Sequence, residues 1–226
     1  MTDIFAHRGS AQKARENTLD AFIAARELGA DGVELDVHLT ADGCVVVHHD
    51  ADLPGKGPIA SLSRSQLPGW LPELEQAFEA CRPLAVNVEI KADPEIPGDQ
   101  HQLVARLAAM LASRPEEGRI VVSSFSLAAL DAFSALAPGL STGLLVEPTD
   151  DPVTALRAAS DHGHGGLHPF FLAVDEALVE AANAFELAIR PWTVDDPAQI
   201  TRLAGLGVDA VITNDVPAAL RAVGRC

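Results

Sequence analysis

The chain has 226 residues, 48% of them apolar, which suits one domain of barrel or doubly wound size and is too apolar for a disordered chain. Its 16 basic and 32 acidic residues leave a formal charge of −16, a surface that should repel nucleic acid and anionic lipid alike. The same field repels a phosphate ester at long range, so any anion site has to be locally positive.

Strand-like runs start near Ile4, Val33, Val86, Ile120, Thr142, Gly166, Ala188 and Ala210. Each is followed by a helical pattern, at 17–28, 71–81, 100–112, 127–136, 152–160, 175–186, 197–206 and 216–223. The first run ends on His7-Arg8-Gly9, and the helix after it is capped by Asn17 or Thr18 and closed by Gly29. The second carries Glu34 and Asp36 one residue apart, hence on one face, with Val33, Leu35 and Val37 on the other. Neighbouring like charges repel unless a cation lies between them, although a solvated polar face would show the same alternation.

After the turn Thr40-Ala41-Asp42-Gly43, residues 44–49 read as a ninth, antiparallel strand hairpinned onto the second. Residues 51–69, rich in Gly, Pro and Ser, read as an irregular loop. The third run places Asn87, Glu89 and Lys91 on one face, costly in an apolar core and sensible beside a polar site. Further on, the Gly-rich context of His162, His164 and His168 reads as a loop entering a strand in preference to a second metal site. Trp192 ends the seventh run.

Eight strand–helix pairs in strict alternation predict a parallel α/β sheet, and eight is the number that closes a (β/α)8 TIM barrel. The expected organisation is a single domain over residues 1–226 with a short hairpin and loop insertion at about 40–70. Cys44, Cys81 and Cys226 are odd in number and loosely spaced, which argues against a disulfide framework or a cysteine zinc site. No apolar run of about 18 residues and no basic-then-apolar leader is present, so a cytoplasmic protein without stable membrane association is expected.

In such barrels the chemistry lies at the C-terminal ends of the strands, where His7, Glu34, Asp36, Glu89, Lys91 and Trp192 would meet. Three carboxylates, Glu34, Asp36 and Glu89, make an oxygen-rich site suited to Mg²⁺, Ca²⁺ or Mn²⁺. His7 and His49 offer an acid and a base, and Arg8 and Lys91 can neutralise phosphoryl oxygens. His48 and His49 alternate on their strand, and pattern alone does not choose between them. Plainer roles exist for the same residues: Lys91 can pair with Glu89, Trp192 can be core, and Glu16 can serve the dipole of the first helix.

The ordered set His7-Arg8-Gly9, Glu16-Asn17-Thr18, Glu34-x-Asp36, Thr40-x-Asp42-Gly43, His49-Asp50, Asn87-x-Glu89-Ile90-Lys91, Ser124-Phe125, Trp192-Thr193-Val194, Gly207-Val208-Asp209 and Ile212-Thr213 resembles the glycerophosphodiester phosphodiesterase family. The resemblance implies a TIM barrel that hydrolyses glycerophosphodiesters to sn-glycerol 3-phosphate and an alcohol with a divalent cation. It implies Glu34, Asp36 and Glu89 as metal ligands and favours His49 over His48, with His7, for acid–base work. Arg8 and Lys91 would contact phosphate, and Trp192 would line the glycerol or alcohol side. The chain departs from the family's usual pattern over 51–58 and in Leu71-Pro72-Glu73-Leu74-Glu75, so the cap over the site is expected to be short. Attack by a substrate hydroxyl in place of water, as in related barrel phospholipases, and a binding protein without turnover are the competing readings. A homodimer is compatible with all of them.

Overall fold

The computed structural model describes residues 1–92, 98, 100–112, 114 and 119–225. Cys226 lies outside them; Cys44 and Cys81 are free thiols. Among the described residues there are eleven strands and eight α-helices, and each of the eight barrel strands is followed by a helix in the expected order, with the insertion strands between the second and its helix. The barrel strands are β1 (Asp3–His7), β2 (Gly32–Leu39), β6 (Ala85–Ile90), β7 (Ile120–Ser124), β8 (Ser141–Val146), β9 (Gly166–Pro169), β10 (Ala188–Ile189) and β11 (Ala210–Thr213). All their ladders are parallel, in the order β10-β9-β8-β7-β6-β2-β1-β11. Between β10 and β11 the seam is closed by backbone bonds from Asp209 N to Ile189 O (3.0 Å), Ile212 N to Pro191 O (3.0 Å) and Val194 N to Ile212 O (2.9 Å). The fold is the (β/α)8 barrel.

Strand alternation sorts the side chains into two layers. Ile4, Ala6, Val33, Leu35, Val37, Val86, Val88 and Ile90 face outward and pack under the helices in one continuous core. Phe5, Ala210 and Ile212 form a small apolar plug within the barrel. Above it the inward residues turn polar.

The helices are α1 (Leu19–Glu27), α2 (Leu74–Cys81), α3 (Gln100–Leu111), α4 (Leu127–Leu136), α5 (Pro152–Asp161), α6 (Glu176–Ala184), α7 (Pro197–Leu206) and α8 (Val216–Ala222). Thr18 caps α1, and Asp151, Asp175, Asp196 and Asp215 cap α5 to α8, each accepting a first-turn N–H. Asp-Pro at 151–152 and 196–197 starts a helix cleanly because proline lacks the N–H that the first turn leaves unpaired.

Three sequence expectations need correction. Helix α2 starts at Leu74, not 71: Pro72 O accepts from Val47 N (2.9 Å) and Glu73 bridges Val46, so tertiary pairing holds this stretch extended. The seventh strand stops at Ile189. Pro191 lacks a donor to extend the ladder, and Trp192 makes only an isolated bridge to Phe170. The loop 51–69 is built, not irregular. It contains the two-residue strands β4 (Asp52–Leu53) and β5 (Gly57–Pro58) and two short 3-10 turns. Leu53, Ile59, Leu67 and Leu71 bury themselves with Val46 in a separate apolar cluster. Turn-forming residues masked that spacing in the sequence. The hairpin itself is as expected, with β3 (Val45–Val47) antiparallel to β2 and Val37 opposite Val47.

Candidate active site

Strand register carries the polar residues into rows across the barrel mouth. Glu34 lies between His7 on β1 and Asn87 on β6, and Glu89 lies between Asp36 and Ser123. The chain leaves β1 through two consecutive left-handed residues, Arg8 (φ 55) and Gly9 (φ 80). Gly9 has to be glycine, because a Cβ there would stand 2.8 Å from the Ala21 backbone of α1. That turn points the Arg8 N–H at Glu34 Oε2 (3.1 Å).

Glu34, Asp36 and Glu89 are 3%, 1% and 8% exposed, and one oxygen of each lies within 4.8 Å of the others. Lys91 Nζ reaches Asp36 Oδ1 (2.8 Å) and Glu89 Oε1 (2.6 Å), while Arg8 Nε stands 3.4 Å from Asp36 Oδ2. Burial raises Asp36, but Lys91 and Arg8 outweigh it and hold this carboxyl below its ordinary range. Burial and then the neighbouring carboxylates push Glu34 well up, and burial with Asp36 brings Glu89 to about 7. Two cations thus leave three carboxylates under-neutralised, and Glu34 Oε1 is buried without a hydrogen-bond donor. A divalent cation answers both deficits, and an all-oxygen set is what a hard ion takes.

These groups floor a cavity of about 310 Å³ lined by the expected residues His7, Arg8, Glu34, His49, Glu89, Lys91 and Trp192 together with Asn87, Phe125, Leu145, Glu147, Thr193 and Ile212. Asp36 sits behind the lining. His7 Nε2 stands 3.9 Å from Glu34 Oε2. Its Nδ1 meets Asn214 Oδ1 at 2.8 Å, and Asn214 Nδ2 in turn donates to Asp195 Oδ2 at 2.8 Å. A carboxylate only accepts, so the amide orientation is decided by Asp195, and Nδ1 of neutral His7 must carry the proton. Nε2 is then the lone-pair nitrogen. Burial, reinforced by Arg8, lowers the pKa of His7 and favours this neutral form.

The β3 strand ends at Val47, so His48 and His49 are separated by the loop and not by strand alternation. His49 lines the cavity with Nδ1 2.7 Å from Asp50 Oδ1; His48 turns toward Trp70, with ring centroids 5.9 Å apart. Trp192 anchors its Nε1–H on His168 O (2.7 Å) and meets Phe125 edge-on at 5.6 Å, giving the cavity an aromatic wall.

Several contributors escaped the sequence reading. Asn17 is not the helix cap. It is a buried left-handed residue (φ 55) whose Nδ2 donates to Asp36 Oδ2 at 2.7 Å. Glu16 lies outside helix α1 and accepts from Arg8 at 3.2 Å, so it serves the site and not the dipole. Asn214 and Asp195 went unnoticed, although a polar residue directly after β11 was the available signal.

A barrel mouth with a buried three-carboxylate cluster that could hold a cation, two histidines and two basic side chains is suited to chemistry on a phosphate ester. Residues 7–218 match the glycerophosphoryl diester phosphodiesterase family. The chain belongs to that family. A glycerophosphodiester phosphodiesterase of Caldanaerobacter subterraneus subsp. tengcongensis is 33% identical over 240 residues, covering 95% of this chain and 94% of the relative. The crystal structure of the Thermotoga maritima glycerophosphodiester phosphodiesterase superposes with a TM-score of 0.83 at 29% identity, over 98% of each chain. An Oleispira antarctica phosphodiesterase, solved in complex with the product sn-glycerol-3-phosphate, gives 0.88 at 25% identity over 99% of this chain and 97% of that one. No helix among the described residues is long and apolar enough to cross a membrane.

Proposed function

We propose that this chain hydrolyses glycerophosphodiesters to sn-glycerol 3-phosphate and an alcohol, with a divalent cation and the His7–His49 pair. The observation that carries this reading is the buried Glu34–Asp36–Glu89 cluster directly beneath two histidines in one cavity. Glu34, Asp36 and Glu89 would hold the cation, which when bound would supply positive charge to the phosphoryl oxygens and lower the pKa of a water. All-oxygen donors favour Mg²⁺, Ca²⁺ or Mn²⁺.

His7 acts as the base, because the Asn214–Asp195 relay leaves its Nε2 lone pair facing the cavity. It takes the proton of the attacking water as the new P–O bond forms. His49 acts as the acid: Asp50 supports the imidazolium, which gives its proton to the departing alcohol oxygen as the old P–O bond breaks. Arg8 and Lys91, held in place by carboxylates, keep positive charge beside the phosphate. Trp192 and Phe125 pack against the glycerol or alcohol carbons. A cytoplasmic site of action belongs to the same proposal.

The test is release of glycerol 3-phosphate from glycerophosphocholine and glycerophosphoethanolamine in EDTA, then with Mg²⁺, Ca²⁺ or Mn²⁺ restored. Cation-restored release is expected. Binding without turnover under every cation would replace hydrolysis by a binding role, and a cyclic phosphate in the phosphorus NMR spectrum would replace water by a substrate hydroxyl as nucleophile.

A further inference from the structure

At the opposite end of the barrel a second group of ligand-type side chains converges. Asp131 projects from α4, His162 caps the C-terminus of α5, and His164 lies in the loop that enters β9. One ligand atom from each lies within 4.8 Å of the others. Gly163, at φ +77, supplies the reversal between the two histidines, whose rings stack 6.2 Å apart at 22°. The third histidine of this sequence stretch, His168, does not join them. It is buried on β9 with its Nε2 3.5 Å from Arg190.

His162 and Asp131 alone could be an ordinary surface pair, with Nδ1 2.9 Å from Oδ1. His164 is different. Its side chain is fully enclosed, and its Nε2 has no hydrogen-bond partner, although Asp131 Oδ1 stands 3.3 Å away. Buried polar atoms are nearly always paired, so an orphaned ring nitrogen aimed at a carboxylate and a second imidazole asks for a further partner. On the other side of the ring, Nδ1 lies 3.0 Å from Thr142 Oγ1. That is how a metal-binding histidine is held, one nitrogen on a protein oxygen and the other left for the ion.

We propose that Asp131, His162 and His164 form a second metal site that takes a zinc-class ion. Two imidazole nitrogens and one carboxylate oxygen suit Zn²⁺, in contrast to the all-carboxylate cluster at the barrel mouth. Bonds of about 2.0–2.1 Å in a tetrahedron set ligand atoms roughly 3.4 Å apart. The two histidine–Asp131 separations, 2.9 and 3.3 Å, need only small adjustment. His162 and Asp131 are 42% and 41% exposed, which leaves an open side for ion access and a water as fourth ligand. A bound ion would tie α4 to the α5–β9 connection. The site is independent of the hydrolytic one.

The experiment is zinc titration of the whole protein against a chromophoric chelator, with Mg²⁺ saturating so that the carboxylate cluster does not compete. The wild type is compared with His162→Ala and Asp131→Asn, two partly exposed positions where folding should survive. The wild type should bind one more equivalent of Zn²⁺ than either variant, or bind it roughly tenfold or more tightly. Zn²⁺ should raise the melting temperature of the wild type only, and diester hydrolysis in Mg²⁺ should be the same in all three. Equal zinc stoichiometry and affinity in wild type and both variants would overturn the assignment. So would a zinc-induced thermal shift that persists in His162→Ala.

Discussion

If Glu34, Asp36 and Glu89 hold a divalent cation as proposed, removing it and raising the pH act on the same three carboxylates, and the two perturbations should be coupled. Burial and Asp36 lift Glu89 from 4.5 to about 7 in the folded cation-free protein. Between those values the folded state holds a proton that the unfolded state has released. The stabilisation is thus full below about 4.5 and lost as the pH climbs through 7. A displacement of that size is worth about 3 kcal/mol for this one group. Glu34, also raised, adds in the same direction. A bound cation removes the loss, because it holds the carboxylates ionised. For a chain of this length about 3 kcal/mol is roughly 6–12 °C in melting temperature. Calorimetric melts at pH 5.5 and pH 8, in EDTA and in excess Mg²⁺ or Ca²⁺, measure it directly. The cation-induced rise should be larger at pH 8 by about 2 kcal/mol, roughly 4–8 °C, the part of the effect that falls between the two pH values, since at pH 5.5 protons compete with the ion. Glu89→Gln should be more stable than wild type in EDTA at pH 8 and should lose most of the cation response. An equal cation shift at both pH values, or a Gln variant no more stable than wild type in EDTA at pH 8, would refute the account of the cluster as an under-neutralised ion site.

Three further outcomes are expected. His7→Ala and His49→Ala should each lower kcat by roughly 10² or more while leaving melting temperature and cation affinity nearly unchanged; unaltered turnover removes that histidine from the chemistry. Asn214→Ala should lower kcat by roughly tenfold and shift the acidic limb of the pH–rate profile, because it frees the proton on His7 Nδ1 from its acceptor; a change in KM alone would mean Asn214 does not orient the base. His38 is buried with Nε2 3.1 Å from His49 O, and burial lowers it to about 4. The unfolded chain binds that proton first, so about 3 kcal/mol of stability should be lost as the pH falls from 6.5 to 4, measurable by urea unfolding. His38→Gln should flatten that slope, and an unchanged slope would assign the acid sensitivity elsewhere.

The aromatic wall lines the cavity, and the insertion after β3 is itself a built element. Residues 51–69 are tied down by their own apolar cluster and by Lys56 Nζ donating to Gln66 O (2.8 Å), so this side of the molecule is a packed element. A cavity of about 310 Å³ lies at the small end of ligand sites, which run from roughly 300 to 1,000 Å³.

Much of the fold was legible because its causes are local. Alternation of Val33, Leu35 and Val37 with Glu34 and Asp36 is a one-strand property, and parallel pairing of eight such strands follows from the helices between them. The chain's own order therefore determined the barrel, the hairpin after β2, and the carboxylates and His7 at its mouth. Contacts between distant segments decided the rest. Asn17 looked like a cap until its Nδ2 was seen on Asp36, and Glu16 looked like a dipole residue until Arg8 turned back toward it. Asn214 and Asp195 matter only because β11 is the neighbour of β1, a closure between the two ends of the chain. His49 is separated from His48 by a loop geometry that no periodicity describes. Asp131, with no motif around it, acquires His162 and His164 as neighbours through packing alone. Periodicity reports which face of an element a residue occupies; which residue waits across the gap depends on how elements far apart in the chain pack together, and only the folded barrel decides that.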